Sequence, residues 1–467
     1  MTTNANQSRI EKDSLGEKEV SAKAYYGVQT QRAVENFPVS GLKAHPALIF
    51  AYAAVKKACA TANRELKALP EEKATPIIKA ADEILSGQWK EQFVIDVYQA
   101  GAGTSFNMNA NEVIANRAAE MMGKPLGKYD FIHPNDHVNM AQSTNDTFPT
   151  ASYVAVFSET KKLLPILDSL AKAFTDKAEE FKGIIKTART HLQDAVPITL
   201  GQEFKAYGEA LKACRSELAR RSELLGYVAL GGTAAGTGAN TLPQFREKAV
   251  ECLAEITHLP LLPAKDPRMA LQSHQPLLAV SSALKELASE LIRIANDLRL
   301  LCSGPTTGFA EIVLPAVQPG SSIMPGKVNP SILECLNMIC FQIVGRDSSV
   351  SLCAQAGQMD LNVMTPLATY NLLDSLSLFI NFLPVVERKC VTGIAADKEK
   401  CSHYFEQNPS LATLLNPKIG YARAAEVFKE AVAKKTTIPK IVIARKLIEE
   451  NELSELLDPK KAVGILD

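Results

Sequence analysis

Leu277, Val280, Leu284, Leu287, Leu291, Ile294, Leu298 and Leu301 recur every three or four residues. That spacing lays one apolar stripe along a helix of about seven turns. Ser303-Gly304-Pro305 then supplies a stop. Comparable patterns run from about Pro149 to Phe181, Gly201 to Leu225, Pro330 to Ala356 and Leu361 to Val386, with Pro165 placed to kink the first. Few segments alternate with period two. Helices this far above the usual length of about 11 to 12 residues normally bury one another in a bundle, so the pattern predicts an all-α fold around a central long-helix bundle. Between Leu361 and Val386, Leu372, Leu373, Leu376, Leu378, Phe379, Ile380, Phe382 and Leu383 surround much of the helix. A helix apolar nearly all round must be buried nearly all round, which predicts helix contacts between subunits. Composition suggests three domains: 1–143, a long-helix segment 144–396, and a charged segment of shorter helices 397–467.

Whole-chain properties exclude several classes of function. The 467 residues are 46% hydrophobic, enough for a large core, and Lys plus Arg equals Asp plus Glu at 51. No global field therefore favours nucleic acid or an anionic membrane, and any anion must be recognised locally. Met1 to Gly16 lacks the apolar core of a signal peptide, and no run of about 18 uninterrupted apolar residues exists, so a cytoplasmic protein is expected. The nine cysteines are scattered and never spaced Cys-x2-Cys, which argues against zinc or a disulfide framework. His133 and His137 are four apart, but Pro134 lies between them and no Glu follows His133. No metal is expected there.

Polar chemistry concentrates in four places. Gly320 to Pro330 (Gly-Ser-Ser-Ile-Met-Pro-Gly-Lys-Val-Asn-Pro) combines two glycines, two hydroxyls, a cation and an amide, which suits a loop that closes on an anion. It is not a phosphate-cradling loop. Five residues separate Gly320 from Gly326, and Val328 stands where a magnesium-binding hydroxyl is needed. The other clusters are Gly101 to Asn109, Gln142 to Asp146 and Arg189 to Asp194. Ser143, Thr144 and Asn145 precede a long apolar-periodic run and are expected at a helix N-terminus, where free N–H groups favour an anion. Thr104 is expected to cap a helix beginning near Asn107. Thr190, His191, Gln193 and Asp194 are read as polar groups at a helix edge, with His191 suited to moving protons. Ser282-Ala283-Leu284-Lys285 is read as helix surface.

Together the four clusters resemble the aspartase/fumarase superfamily, whose hallmark Gly-Ser-Ser-x-Met-Pro-x-Lys-x-Asn is matched by Gly320 to Asn329. The resemblance runs from Arg9-Ile10-Glu11-Lys12-Asp13 and Tyr25-Tyr26-Gly27 to Leu415-Asn416-Pro417 and Ile419-Gly420-Tyr421. It implies a homotetramer around a long-helix bundle, with each active site built from three subunits. Gly101-Ala102-Gly103-Thr104-Ser105, Thr144 within Gln142 to Asp146, and Tyr25-Tyr26-Gly27 follow the aspartate ammonia-lyase branch rather than the class II fumarases.

The reaction implied is reversible elimination of ammonia from L-aspartate to fumarate through an aci-carboxylate intermediate, without a cofactor. The resemblance makes Ser321 the base at C3. Thr104, Ser143, Thr144 and Ser322 would bind the β-carboxylate, Lys327, Asn329 and Thr190 the α-carboxylate, and Thr104, Asn145 and His191 the amino group. Glu334 would orient His191. Three positions depart from the family: Thr306 after Pro305, Thr365 in Leu361 to Pro366, and Arg346 in Gly345-Arg346-Asp347. The first two remove charge, which keeps malate or another substituted succinate as the alternative substrate.

Overall fold

Why the apolar patterns become helices is plain from where they lie. The computed structural model describes residues 8–463; Met1 to Gln7, part of the N-terminal segment considered above, lie outside the described residues. A short antiparallel hairpin, β1 (Ser8–Asp13) and β2 (Gly16–Ser21), comes first. Helices α1 (Val28–Asn36), α2 (Pro46–Glu65), α3 (Glu71–Leu85) and α4 (Thr104–Met121) follow. Next come α5 (Thr144–Phe181), a second hairpin of β3 (Ile185–Thr190) and β4 (Gln193–Thr199), α6 (Leu200–Ser222), α7 (Phe245–Thr257) and α8 (Pro267–Gln272). The remaining long helices are α9 (Gln275–Leu301), α10 (Ser331–Gln355) and α11 (Thr365–Lys389). All five long periodic patterns are helices with ends close to those expected, and α5 is helical straight through Pro165. The fold is mostly helical, and its strands are short pairs.

Contacts gather the chain into two units. The first is Met1–Leu164, Ser216–Glu286 and Phe341–Ile380. Inside it α2 packs on α3 and α7, α3 on α4, and α4 on α1. Its aromatic centre is Tyr52, Phe106 and Phe148, with Phe106 edge-on to both partners at 5.1 and 6.3 Å. Burying each such ring contributes roughly 1.5–3 kcal/mol. The second unit is Pro165–Arg215, Leu287–Cys340 and Asn381–Asp467. It holds a cluster of Phe174, Phe181, Phe204 and Tyr207. A separate C-terminal core joins Leu411, Leu415, Val427, Ile438 and Val442.

Within the first unit, Thr365 opens α11 fully buried, its Oγ1 2.7 Å from Nε2 of His274. Burial pulls His274 down to about 4, because the charged imidazolium has no water there. The unfolded chain binds that proton more readily, so this stability is present above the unfolded pKa near 6.5 and lost as pH falls toward about 4. A shift of this size corresponds to about 3 kcal/mol. Denaturant midpoints should fall from about pH 7.5 to about pH 4.5, and His274→Gln should flatten that slope; an unchanged slope would assign the acid sensitivity elsewhere.

Candidate active site

Gly101–Gly103 is a single tight turn in which Gly103 adopts φ 83°, and a side chain there would collide with the Phe148 ring. The turn delivers Thr104, exposed, as the first residue of α4. The helix thus starts at Thr104 itself rather than near Asn107. The reason is a cap from far upstream: Gln99 Oε1 accepts the Phe106 N–H at 3.0 Å. Thr104 lines a cleft of ≈ 540 Å³ together with Gln29, Ser105, Met108, Tyr129 and His133.

The expected N-terminus at Ser143, Thr144 and Asn145 is present. Ser143 Oγ accepts from Asn145 N at 3.2 Å, and Asp146 Oδ1 reaches back to Ser143 N at 3.0 Å, so the first turn is capped from both directions. Beneath it, Asn107 Nδ2 donates to Thr144 Oγ1 at 3.0 Å. Asn107 Oδ1 in turn accepts from Lys56 Nζ at 2.7 Å, and Asn139 Oδ1 and Gln142 Oε1 take the ammonium's other two protons at 2.9 and 2.8 Å. Lys56 is fully buried on α2, and burial pulls it down to about 7. Asp146 is equally buried and is pushed up to about 6 by the same cause, against three backbone N–H bonds that lower it.

In the second unit, Arg189 to Asp194 is not a helix edge. β3 and β4 pair as far as Thr190 with Gln193, which leaves His191 and Leu192 as a two-residue hairpin loop with φ of 55° and 59°. Such loops require positive φ at both positions, normally supplied by Asn-Gly, so a His-Leu loop is strained. Thr190 and His191 are exposed at the tip, and Leu192 is 68% exposed.

The hallmark loop is closed at its base. Gly320 N donates to Lys327 O at 2.8 Å and Asn329 Nδ2 to Gly320 O at 2.6 Å; a side chain on Gly320 would strike the Lys327 carbonyl. Ser321 Oγ, half-buried, accepts from Ile323 N at 3.2 Å and Met324 N at 2.9 Å. Ser322 and Lys327 are exposed, and Asn329 is half-buried. Glu334 lies in the first turn of α10. Among the described residues, no hydrogen bond joins the hairpin tip to this loop, and His191 and Glu334 form no ion pair within one chain.

The departing positions are accounted for locally. Thr365 is a buried partner of His274, Arg346 pairs with Asp374, and Thr306 is exposed in the loop after α9. Ser282 to Lys285 lies on α9, where Lys285 pairs with Asp347. His137 Nε2 sits 2.8 Å from Lys73 Nζ, and no metal-holding group of three or more His, Cys, Asp or Glu occurs among the described residues. Sequence reasoning missed Lys56, the segment Gly231 to Ala234 and, although it singled out the cluster Gln142 to Asp146, the use of Asp146. Lys56 did leave a signal: Tyr52, Lys56, Cys59 and Asn63 share helical spacing, which puts one lysine on a buried stripe.

A family profile described as lyase matches residues 16–345, and one described as fumarase C C-terminus matches 411–464. An aspartate ammonia-lyase of Bacillus subtilis is 46% identical over 98% of this chain and 97% of its own length. One from Pseudomonas aeruginosa is 48% identical over 98% and 97%. A solved fumarate lyase:delta crystallin of Brucella melitensis, bound to cobalt, superposes with a TM-score of 0.95 at 46% identity, covering 98% of this chain and 100% of that one. A class II fumarase of Schistosoma mansoni superposes at 0.96 with 36% identity, over 98% and 99%.

The hairpin is held by a buried ion cluster. Glu311, with no exposure, accepts from Arg189 Nη1 at 2.9 and 3.0 Å and lies 3.1 Å from Lys186, which also meets Glu203 at 2.7 Å. Arg189 lies 4.2 Å from the Phe309 ring centre. Glu311→Gln should cost about 3–5 kcal/mol in chemical denaturation, because it leaves Arg189 without its counter-charge and Lys186 with Glu203 alone. A loss below about 1 kcal/mol would show that Glu203 alone compensates them.

Proposed function

The chain belongs to the aspartase/fumarase lyase family, and from that membership we propose that it is a carbon–nitrogen lyase that reversibly eliminates ammonia from L-aspartate to give fumarate. Near full-length kinship with aspartate ammonia-lyases carries the choice of substrate. In the step itself the C3–H bond breaks toward a base. Its electron pair is held in an aci-carboxylate and then forms the C2–C3 double bond as the C2–N bond breaks, and ammonia leaves.

Ser321 is the proposed base. An alkoxide is costly unless donors meet it, and two backbone N–H groups already point at Ser321 Oγ. Preorganised donors of this kind contribute roughly 3–4 kcal/mol each in a site without water. Thr104, Ser143, Thr144 and Ser322 take the β-carboxylate in this reading, favoured by the N-terminus of a 38-residue helix. Lys327, Asn329 and Thr190 take the α-carboxylate, and Thr104, Asn145 and His191 the amino group. Thr365 is buried against a neutral His274 and Thr306 lies in an exposed loop, so the preference for aspartate over malate rests on the kinship alone.

The active unit in this proposal is a homotetramer with each site drawn from three subunits. Met338, Phe341 and Leu352 on α10 stand 66%, 58% and 61% exposed, while Leu378, Ile380 and Phe382 on α11 stay half-buried. The segments 1–143, 144–396 and 397–467 are its proposed domains, and the cytoplasm its proposed location. Glu334 would reach His191 of another subunit.

Absorbance near the fumarate band should rise with L-aspartate and equimolar ammonia and stay flat with L-malate; turnover of malate alone would replace this reading with a hydratase. Ser321→Ala should lower kcat by several powers of ten with the assembly intact, and near-normal activity would remove Ser321 as base. Lys327→Ala should raise KM as well as lower kcat.

A further inference from the structure

Asp146 has no part in the chemistry above, yet it is the most constrained carboxylate near the head of α5. Its Oδ2 accepts from Gly231 N at 3.0 Å and Thr233 N at 2.9 Å, while Oδ1 holds Ser143 N. Thr233 is buried with φ 56°, a backbone region that a β-branched residue occupies only under constraint, and its own hydroxyl has no hydrogen-bond partner. The next residue, Ala234, turns its carbonyl to Asn145 Nδ2 at 2.8 Å.

The geometry points to Asp146 as a positioning residue for substrate discrimination: by fixing Gly231 to Ala234 it orients the Asn145 amide so that Oδ1, an acceptor, is the atom left for substrate. An amide free to rotate presents either a donor or an acceptor. With one Nδ2 proton held by Ala234 O, the flip that would set Oδ1 against that carbonyl is disfavoured, so Oδ1 keeps its place as an acceptor, and an ammonium, which only donates, is its matching partner. The inference rests on Asn145 being the amino-group contact of the proposed reaction.

The test compares KM for L-aspartate with Ki for succinate, which has both carboxylates and no amino group. Asp146→Asn loses one acceptor for three N–H donors, so the ratio of aspartate KM to succinate Ki should rise about tenfold, the equivalent of one hydrogen bond. Equal changes in both constants, or none, would overturn the assignment and leave Asp146 a structural residue. If Asp146→Asn does not fold, Asp146→Glu carries the same test: it keeps the charge and moves the oxygens off Gly231 N and Thr233 N, so the ratio should again rise, and an unchanged ratio would overturn the assignment. A wild-type protein that turns over no aspartate would remove the functional reading itself, before any variant is made.

Discussion

Two charges that water cannot reach, Lys56 and Asp146, set the order of everything at the head of α5. Each is disfavoured by its burial, and the two shifts converge, with Lys56 brought down to about 7 and Asp146 up to about 6. What keeps them is complete satisfaction. Lys56 spends its three protons on three amide oxygens, and Asp146 spends its oxygens on three backbone N–H groups. A buried group left unpaired costs about 1–3 kcal/mol, so neither network tolerates a missing member. The consequence is rigidity: Asn107 cannot turn without releasing Lys56, and Thr144 is held by Asn107.

The other face of the proposed chemistry is built differently. Ser321, Ser322 and Lys327 sit on a loop whose base is tied at Gly320 and Asn329 while its tip stays in water. Water at that tip weakens any field acting on Ser321, so the two N–H groups at its Oγ do not by themselves make a strong base. Closure over substrate would remove that water and raise the worth of the same donors. In the proposed reaction, a rigidly held Thr144 would serve the carboxylate and Ser321 the loss of a weakly acidic C3 proton, the hard step. The hairpin tip adds strain to the same design: His191 and Leu192 keep positive φ because Arg189 and Glu311 fix the strand behind them.

Legibility followed the range of the interaction. The long helices were readable because an apolar stripe repeats every turn, so each residue repeats the same message. The β3–β4 hairpin was not, since its loop is His-Leu rather than Asn-Gly and its pairing carries an irregularity between Thr187 and Arg189. The start of α4 was misplaced because Gln99 caps Phe106 from seven residues upstream. The cluster Gln142 to Asp146 was legible as a helix N-terminus, whereas the use of Asp146 was not, because its partners Gly231 and Thr233 lie 85 and 87 residues on. Local chemistry identified the hydroxyls, and only the folded chain identified what aims them.

Helix α11 shows why apolar surface here argues for protein contact rather than lipid. By length and hydropathy, Thr365–Gly393 passes as a membrane span, yet half of its most apolar window is already buried within the chain. Its polar residues are committed sideways to other helices: Thr369 Oγ1 meets Ser152 Oγ at 2.8 Å, Asn371 Nδ2 meets Ser349 Oγ at 3.2 Å, and Asp374 pairs with Arg346. An ion pair like the last is expensive in hydrocarbon. The apolar side chains still open, Leu378, Ile380 and Phe382 on α11 with Met338, Phe341 and Leu352 on α10, are the surface that the proposed tetramer would cover. In that proposed tetramer the hairpin tip and Glu334, which form no ion pair among the described residues of one chain, would come within reach of each other, so burying the apolar helix faces and completing the site would be one event.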